Sequence, residues 1–150
     1  MRPRTQSRVF ALQMLYQAEI TNEPIDLIRE GFWKTAIASE TVKHFADVLV
    51  KGASEHQVVI DQAIRSAATK NWPLHRMPVI DRCLLRSATY ELLYLVDIPV
   101  AVSINEAIEL AKAYSTEDSP KFINAILDKI KDMKSDITQQ LEHLRTSGGE

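Results

Sequence analysis

Apolar residues recur along this chain every three or four positions, the interval that places side chains on one face of an α-helix. Within residues 77–96 this row comprises Met77, Ile80, Leu84, Ala88, Leu92 and Leu95. A later row comprises Phe122, Ile126, Ile130, Met133, Ile137, Leu141 and Leu144. No stretch keeps the two-residue alternation of a strand, and the 150 residues include only four glycines, fewer than the tight turns of a sheet need. The pattern predicts an all-α chain of seven or so helices.

Helix boundaries follow from the same pattern and from residues that start helices. Early helices are predicted at residues 5–20, 25–33, 40–53 and 56–68, and later ones at 77–96, at 104–114 and from 120 onward. Ser103 and Glu106 have the spacing of a capping box. Ser119 precedes Pro120 as a cap residue precedes a proline at the first helical position.

The clearest break in the helical pattern lies near residues 71–77 and is bracketed by Pro73 and Pro78. It predicts that one domain, residues 1–150, consists of two packed helical subdomains. These would cover about residues 1–71 and about residues 72–145. The small, polar tail at residues 146–150 is expected to fray.

Composition excludes several classes of protein. A 45% hydrophobic content and a formal net charge of −2 favour one folded core over disorder. The single cysteine, Cys83, excludes an internal disulfide and favours a reducing cytoplasm, and no run is apolar enough to cross a membrane. The chain has no glycine-rich phosphate loop and no paired Cys/His ligands, so we predict no cofactor and no metal site. These observations leave a Ser-His-Asp or Cys-His nucleophile open, although no local pattern indicates one. Cys83 itself falls in an apolar helix and is predicted to be a small core residue.

The N-terminus reverses the sign of the chain's charge. Residues 1–18 contain Arg2, Arg4 and Arg8 and no acidic side chain. A small basic patch on a helix is typical of a surface that binds a phosphate backbone. Many surface helices also begin with arginines, so the patch alone leaves both interpretations open.

A second candidate surface lies at residues 118–122, where a helix is predicted to begin. Ser119 would cap that helix, and Lys121 lies off its apolar face. Phe122 is at the edge of the apolar face, where a partly exposed ring could stack on an unpaired base. The alternative is that Phe122 is the first core residue of the helix and Lys121 a solvated charge.

Glu91 is predicted to lie on the apolar face of its helix, among Ile80, Leu84 and Ala88. A buried carboxylate must be paired or hydrogen-bonded, or it becomes protonated. It could be a general acid, or a structural carboxylate held by an arginine or a helix start. We favour the structural interpretation, because no second catalytic group has a suitable offset.

Three strings in the second half of the chain are distinctive. They are DRCLLRSATYEL at residues 81–92, INEAIELAK at 104–112 and DSPKFINAILD at 118–128. Near the N-terminus, Arg8 is followed by ALQMLY at residues 11–16. In this order and at this spacing the strings resemble the transcription antitermination factor NusB family, over about residues 4–131.

The resemblance implies an RNA-binding adaptor rather than an enzyme. It implies binding to the single-stranded boxA element of ribosomal RNA leader transcripts, together with NusE, a small-subunit ribosomal protein, and entry into an RNA polymerase antitermination complex. The residues implied as RNA-binding are Arg2, Arg4, Arg8, Asp118, Ser119, Lys121 and Phe122. Asp81 is implied as a partner-binding residue.

Two alternatives to the adaptor remain. The apolar row from Ile137 to Leu144 extends past the matching strings and could pack against a second copy, giving a homodimer or interaction module that masks its RNA face. NusB-like domains also occur fused to RNA cytosine methyltransferases. That activity needs a separate catalytic domain and further cysteines, which a chain of 150 residues with one cysteine does not contain.

Overall fold

A computed structural model describes residues 1–69 and 72–148 of the chain. Over these residues it consists of helices and loops without a strand, which confirms the all-α prediction. The seven α-helices of this part are α1 (Pro3–Thr21), α2 (Ile25–Thr35), α3 (Glu40–Glu55), α4 (Gln57–Ala67), α5 (Val79–Tyr94), α6 (Val100–Tyr114) and α7 (Ser119–Gly148). A short 3₁₀ helix, Leu74–Arg76, lies between α4 and α5.

Prolines mark most helix starts. Pro3 is in the first turn of α1, Pro120 is the second residue of α7, and Pro24, Pro78 and Pro99 directly precede α2, α5 and α6. A proline fits there because the first backbone N–H groups of a helix have no intrahelical acceptor. The start predicted for α6 at residue 104 is therefore wrong by four residues.

Helix α5 is the central element of the fold. It packs against α1, α3 and α4 from the first half of the chain and against α6 and α7 from the second half. Leu85 and Leu92 are at most 1% exposed, and buried side chains from both halves of the chain form one cluster around them. Cys83 is buried as predicted, and burial raises the pKa of its thiol to about 12.

The C-terminal part of α7 extends beyond the compact core. Met133 and Ile137 pack partly against the core, whereas Leu144 is 64% exposed. The helix continues to Gly148, into the tail that was predicted to fray, and residues 149 and 150 lie outside the described residues. No helix in the described part of the chain is long and apolar enough to span a membrane.

Candidate nucleic-acid interface

The first turn of α1 presents two exposed arginines. Arg2 is the cap residue, with an extended backbone, and its side chain makes no capping hydrogen bond. Arg4 lies in the first turn, which contains no acidic residue. The N-terminal end of a helix carries a partial positive charge, so cations there are electrostatically unfavourable. Helix stability therefore does not explain these arginines, whereas a bound anion would offset the repulsion.

Arg4 is held against α3 by an aromatic ring. Its guanidinium carbon lies 4.5 Å from the centroid of the Phe45 ring. Stacking on a ring face leaves the N–H groups at the edge of the guanidinium free to donate hydrogen bonds. Arg4 is thus oriented and still able to contact a phosphate.

Arg8 is buried, only 4% exposed, and forms a bidentate ion pair with Glu91. Its Nε donates to Glu91 Oε2 at 3.0 Å, and its Nη2 donates to Oε1 at 2.7 Å. A second carboxylate, Glu106, lies 3.9 Å from Nη1. Because the guanidinium is both covered and paired, the expectation that Arg8 contacts RNA directly is corrected: Arg8 is a core ion-pair residue.

Glu91 has the structural role that was favoured for it. Besides the ion pair with Arg8, its Oε1 accepts a hydrogen bond of 2.8 Å from the Ser103 hydroxyl. The same network shows that the predicted capping box is wrong. Ser103 lies inside α6 and is 1% exposed, and Glu106 instead accepts hydrogen bonds of 3.0 Å from Thr5 of α1. Ser103 and Glu106 therefore connect α6 to α5 and to α1, and they do not cap the start of a helix.

Asp81, the expected partner-binding residue, is 2% exposed. Its Oδ1 accepts a hydrogen bond from the Ser115 hydroxyl at 2.5 Å, and its Oδ2 accepts one from Ser119 at 2.9 Å. The carboxylate therefore ties the start of α5 to the loop before α7. It is not available for an ion pair with a partner, so its expected direct role is corrected to an internal one.

Ser119 is the first residue of α7 and is 2% exposed. Its hydroxyl oxygen lies 2.9 Å from Ser115 Oγ and 2.7 Å from Thr116 Oγ1, in addition to its bond to Asp81. The carbonyl of Asp118 accepts the N–H of Phe122 at 3.3 Å, so Asp118 and not Ser119 has the cap position. The buried Ser119 hydroxyl does not form a direct RNA contact as expected.

Lys121 and Asp118 are exposed at the start of α7, and Phe122 is half-buried beside them. The Phe122 ring contacts Trp72, with 5.1 Å between the ring centroids and a 44° angle between the planes. Trp72 was not among the residues expected to bind RNA, because it lies in the break between helices and matches none of the three distinctive strings. The two aromatic residues and Lys121 line a cleft of about 390 Å³.

The two candidate surfaces lie toward opposite ends of α5. Helix α1 runs antiparallel to α5, because Arg8 pairs with Glu91 whereas Glu19 contacts Arg86 at 2.9 Å. The start of α7 is held at Asp81, ten residues before Glu91. Ten helical residues span about 15 Å.

An apolar cleft of about 230 Å³ lies between the two surfaces. Its lining includes Gln13 and Tyr16 of α1, Ile80 of α5 and Tyr114 of α6. Ile80 and Tyr114 directly precede Asp81 and Ser115, the residues that hold the start of α7. The surface thus leads from the arginines of α1, across an apolar middle, to Lys121.

Proteins with similar sequences match most of this chain. The transcription antitermination protein NusB of Trichlorobacter lovleyi is 45% identical over 128 residues, which are 85% of this chain and 89% of that protein. The protein of the same name from Geobacter sulfurreducens is 48% identical over 124 residues, 82% of this chain and 89% of that protein.

Solved structures agree with this similarity. NusB of T. maritima superposes with a TM-score of 0.79 at 38% identity, covering 88% of this chain and 92% of that one. A NusB chain in a structure of the antitermination factors NusB and NusE in complex with dsRNA gives a TM-score of 0.78 at 26% identity, covering 88% and 98%. The model of the family described as NusB matches residues 5–132. Since the fold, the relatives and the family model agree, the chain belongs to the NusB family.

Proposed function

We propose that the chain is an RNA-binding adaptor in transcription antitermination. It binds the boxA element of ribosomal RNA leader transcripts together with NusE, a small-subunit ribosomal protein, and joins the RNA polymerase antitermination complex in the cytoplasm. The proposal assigns no catalytic residue, because Glu91, the carboxylate on the apolar face of α5, is held in an ion pair and a hydrogen bond.

The observation that carries this proposal is a surface that exposes cations at both ends and has an apolar middle. Arg2 and Arg4 lie at one end and Lys121 with Phe122 at the other. Phosphates favour the ends, where the cations are exposed. The middle, lined mainly by apolar side chains such as Tyr114, suits a protein partner better than a phosphate backbone. NusE seated there would contact the same RNA.

Each residue of the expected site has a distinct role in this proposal. Arg2, Arg4 and Lys121 contact phosphates, and Phe122 contributes to base stacking. Asp118 lies exposed at the rim, where its carboxylate accepts hydrogen bonds from a base edge. The buried residues act indirectly: Asp81 and Ser119 hold the start of α7 in position, and Arg8 neutralises Glu91.

The relatives support the proposal by what they are called. Those described above are named transcription antitermination protein NusB, and one solved NusB is bound to NusE and RNA. The RNA in that structure is double-stranded. Our proposal concerns single-stranded RNA, because an aromatic surface such as the one that Phe122 and Trp72 form receives bases that are not paired within a duplex.

The test is a titration of labelled boxA-like RNA with this protein, followed by fluorescence anisotropy, with and without the ribosomal partner. We expect tighter RNA binding when the partner is present, because a second protein on the same RNA raises the effective concentration. Single-stranded RNA should bind more tightly than its duplex. Lys121→Ala should weaken binding, whereas Val96→Ala, at a 77% exposed residue to which this proposal assigns no RNA contact, is the matched control. Equal affinities with and without the partner contradict the cooperative adaptor.

The homodimer remains a second candidate because of one observation. Leu144, at the end of the α7 row, is 64% exposed, and Val58 of α4 is 81% exposed. The earlier part of the row is used within the molecule, since Ile130 is buried in the core and Met133 and Ile137 pack against it. Sedimentation at several concentrations, with and without RNA, separates the two candidates: a dimer that dissociates when RNA is added supports masking.

A further inference from the structure

We propose that Trp72 is the outer ring of a base-stacking site, on which one unpaired nucleobase of the RNA lies. Phe122 supports the indole from the side of the core. This inference rests on the proposed RNA-binding function and adds a residue to it that the motif strings do not contain.

Exposure distinguishes the roles of the two rings. Trp72 is 44% exposed, whereas Phe122 is half-buried and packs against the hydrophobic core. Their centroids are 5.1 Å apart, and the 44° tilt of the planes leaves no room for a base between them. A base that approaches this pair therefore meets the open side of the indole first.

The backbone of Trp72 and of the residues after it is restrained. Its N–H donates a hydrogen bond of 3.0 Å to the carbonyl of Thr69. Pro73 follows with φ −65°, and Leu74, the next residue, is 4% exposed and anchored in the core. An aromatic side chain on a restrained backbone loses little conformational entropy when a base stacks on it, so the ring is well prepared for binding.

The chemistry around the rings fits a nucleotide of single-stranded RNA. Lys121 is exposed and lines the same cleft of about 390 Å³ as Trp72 and Phe122. Of the two carboxylates that line this cleft, Asp81 is buried and accepts two hydroxyl hydrogen bonds, so only Asp118 is exposed. A ring face for the base beside a cation for the phosphate is the combination that single-strand-binding proteins use.

Fluorescence gives a direct test, because the chain contains only two tryptophans. The other, Trp33, lies in α2 and donates a hydrogen bond of 2.8 Å to Asp47. Trp33→Phe leaves Trp72 as the only indole. Titration of this variant with single-stranded boxA-like RNA should quench the emission of Trp72 saturably, with the same dissociation constant as the anisotropy of the labelled RNA. An abasic substitution at the stacked nucleotide should abolish the quenching.

Affinity provides the second readout. Trp72→Ala should weaken RNA binding about tenfold, within the range of about 1–3 kcal/mol that one stacked base contributes, and Trp72→Phe should retain part of it. Val96→Ala should have no effect. Because the rings touch, the double variant with Phe122→Ala should lose less than the sum of the single losses. Circular dichroism of each variant checks that the helices remain.

Three outcomes would overturn the inference. If RNA binds normally while Trp72 emission and the affinity of Trp72→Ala stay unchanged, the stacking site is wrong and the adaptor proposal stands. If Trp72→Ala weakens only binding of the ribosomal partner, the indole is a protein contact. If the unaltered chain binds no RNA even with the partner present, both proposals fail.

Discussion

Two arginines one helical turn apart, Arg4 and Arg8, have different environments in this structure. Arg4 is exposed and stacked on Phe45, whereas Arg8 is buried and paired with Glu91. In the sequence only Glu91 was unusual, as an anion on an apolar face, whereas Arg8 was grouped with the other N-terminal arginines. Together they neutralise each other, because the tertiary fold brings α1 and α5 into contact.

Removal of one member of the buried pair should destabilise the fold rather than the RNA contact. Arg8→Ala leaves Glu91 buried without its ion-pair partner, which should lower the free energy of unfolding by about 3–5 kcal/mol. The affinity of the molecules that remain folded for RNA should not change. Urea unfolding, followed by circular dichroism, measures the first effect and anisotropy the second.

Two variants control this experiment. Arg4→Ala, which removes only an exposed cation–π contact, should lower stability by no more than about 1 kcal/mol and weaken RNA binding. Replacement of both Arg8 and Glu91 by apolar residues of similar volume should recover much of the lost stability, because no charge is left buried. If Arg8→Ala has the stability of the unaltered chain, the ion pair is not structural.

At the scale of helices, α3 lies close to α5 at a glycine. Gly52 lies on α3 directly against the ring of Tyr90, and a Cβ at this position would overlap with ring atoms. Tyr90 in turn stacks with Tyr94, so its ring has little freedom to move. The absence of a side chain at Gly52 therefore sets the distance between the two helices.

Gly52→Ala should lower the free energy of unfolding by about 1–3 kcal/mol, the usual cost of overpacking. The matched control is Gly31→Ala in α2, where nothing lies within 4 Å of the added Cβ. At such an exposed helical position alanine should stabilise by about 0.5–1 kcal/mol. Thermal unfolding of both variants checks the result, and the same sign for both would contradict it.

The carboxylate of Asp47 in α3 holds α2 and α3 together, because it accepts hydrogen bonds from Arg29 and Trp33 of α2. Burial would raise the pKa of Asp47, but hydrogen bonds from Arg29 and Trp33 outweigh it and lower the pKa below its usual value. A lowered pKa adds stability above the pKa of the unfolded state, near 4, and this stability is lost as the pH falls through the folded pKa.

Asp47→Asn should therefore be less stable than the unaltered chain at neutral pH, and the difference should shrink as the pH falls below about 4. Urea unfolding at a series of pH values, followed by the fluorescence of Trp33, measures both curves. Asp26→Asn is a suitable control, since that carboxylate contacts the same Arg29 but is 82% exposed. A stability difference that grows toward low pH would contradict this assignment.

For the whole molecule, the local distribution of charge matters more than its sum. The chain has a formal net charge of −2, yet each of its two proposed RNA-contacting ends exposes a cation: Arg2 and Arg4 at one end, and Lys121 beside Asp118 at the other. Few phosphates can be neutralised by Arg2, Arg4 and Lys121 alone. This fits an adaptor that binds RNA modestly by itself and more tightly with a second protein.

The salt dependence of RNA binding tests this distribution. Three phosphate contacts predict a slope of about −2 in a plot of log K against log salt concentration, since each contact to single-stranded RNA contributes about −0.7. Arg4→Ala should make the slope less negative by about 0.7, whereas Val96→Ala should leave it unchanged. Anisotropy titrations at several salt concentrations give these slopes, and a slope near zero would exclude phosphate contacts.

The division into two subdomains stays a prediction. The break between them lies near the 3₁₀ helix Leu74–Arg76, as the prolines indicated, but α5 packs against helices of both halves and their buried residues form one cluster. The homodimer likewise stays untested.

Local patterns along the chain were sufficient for the class of fold, the approximate helix bounds and the resemblance to the family. The spacing of apolar residues and the positions of prolines determine the local backbone conformation, so they can be interpreted without the tertiary structure. The fate of the charged and polar residues could not be decided in this way. Arg8 and Glu91 are 83 residues apart, and Ser119 and Asp81 are 38 apart. Whether such a side chain is buried or faces RNA depends on which distant partner packs against it, and Trp72 beside Phe122 is a neighbour that only the folded chain creates.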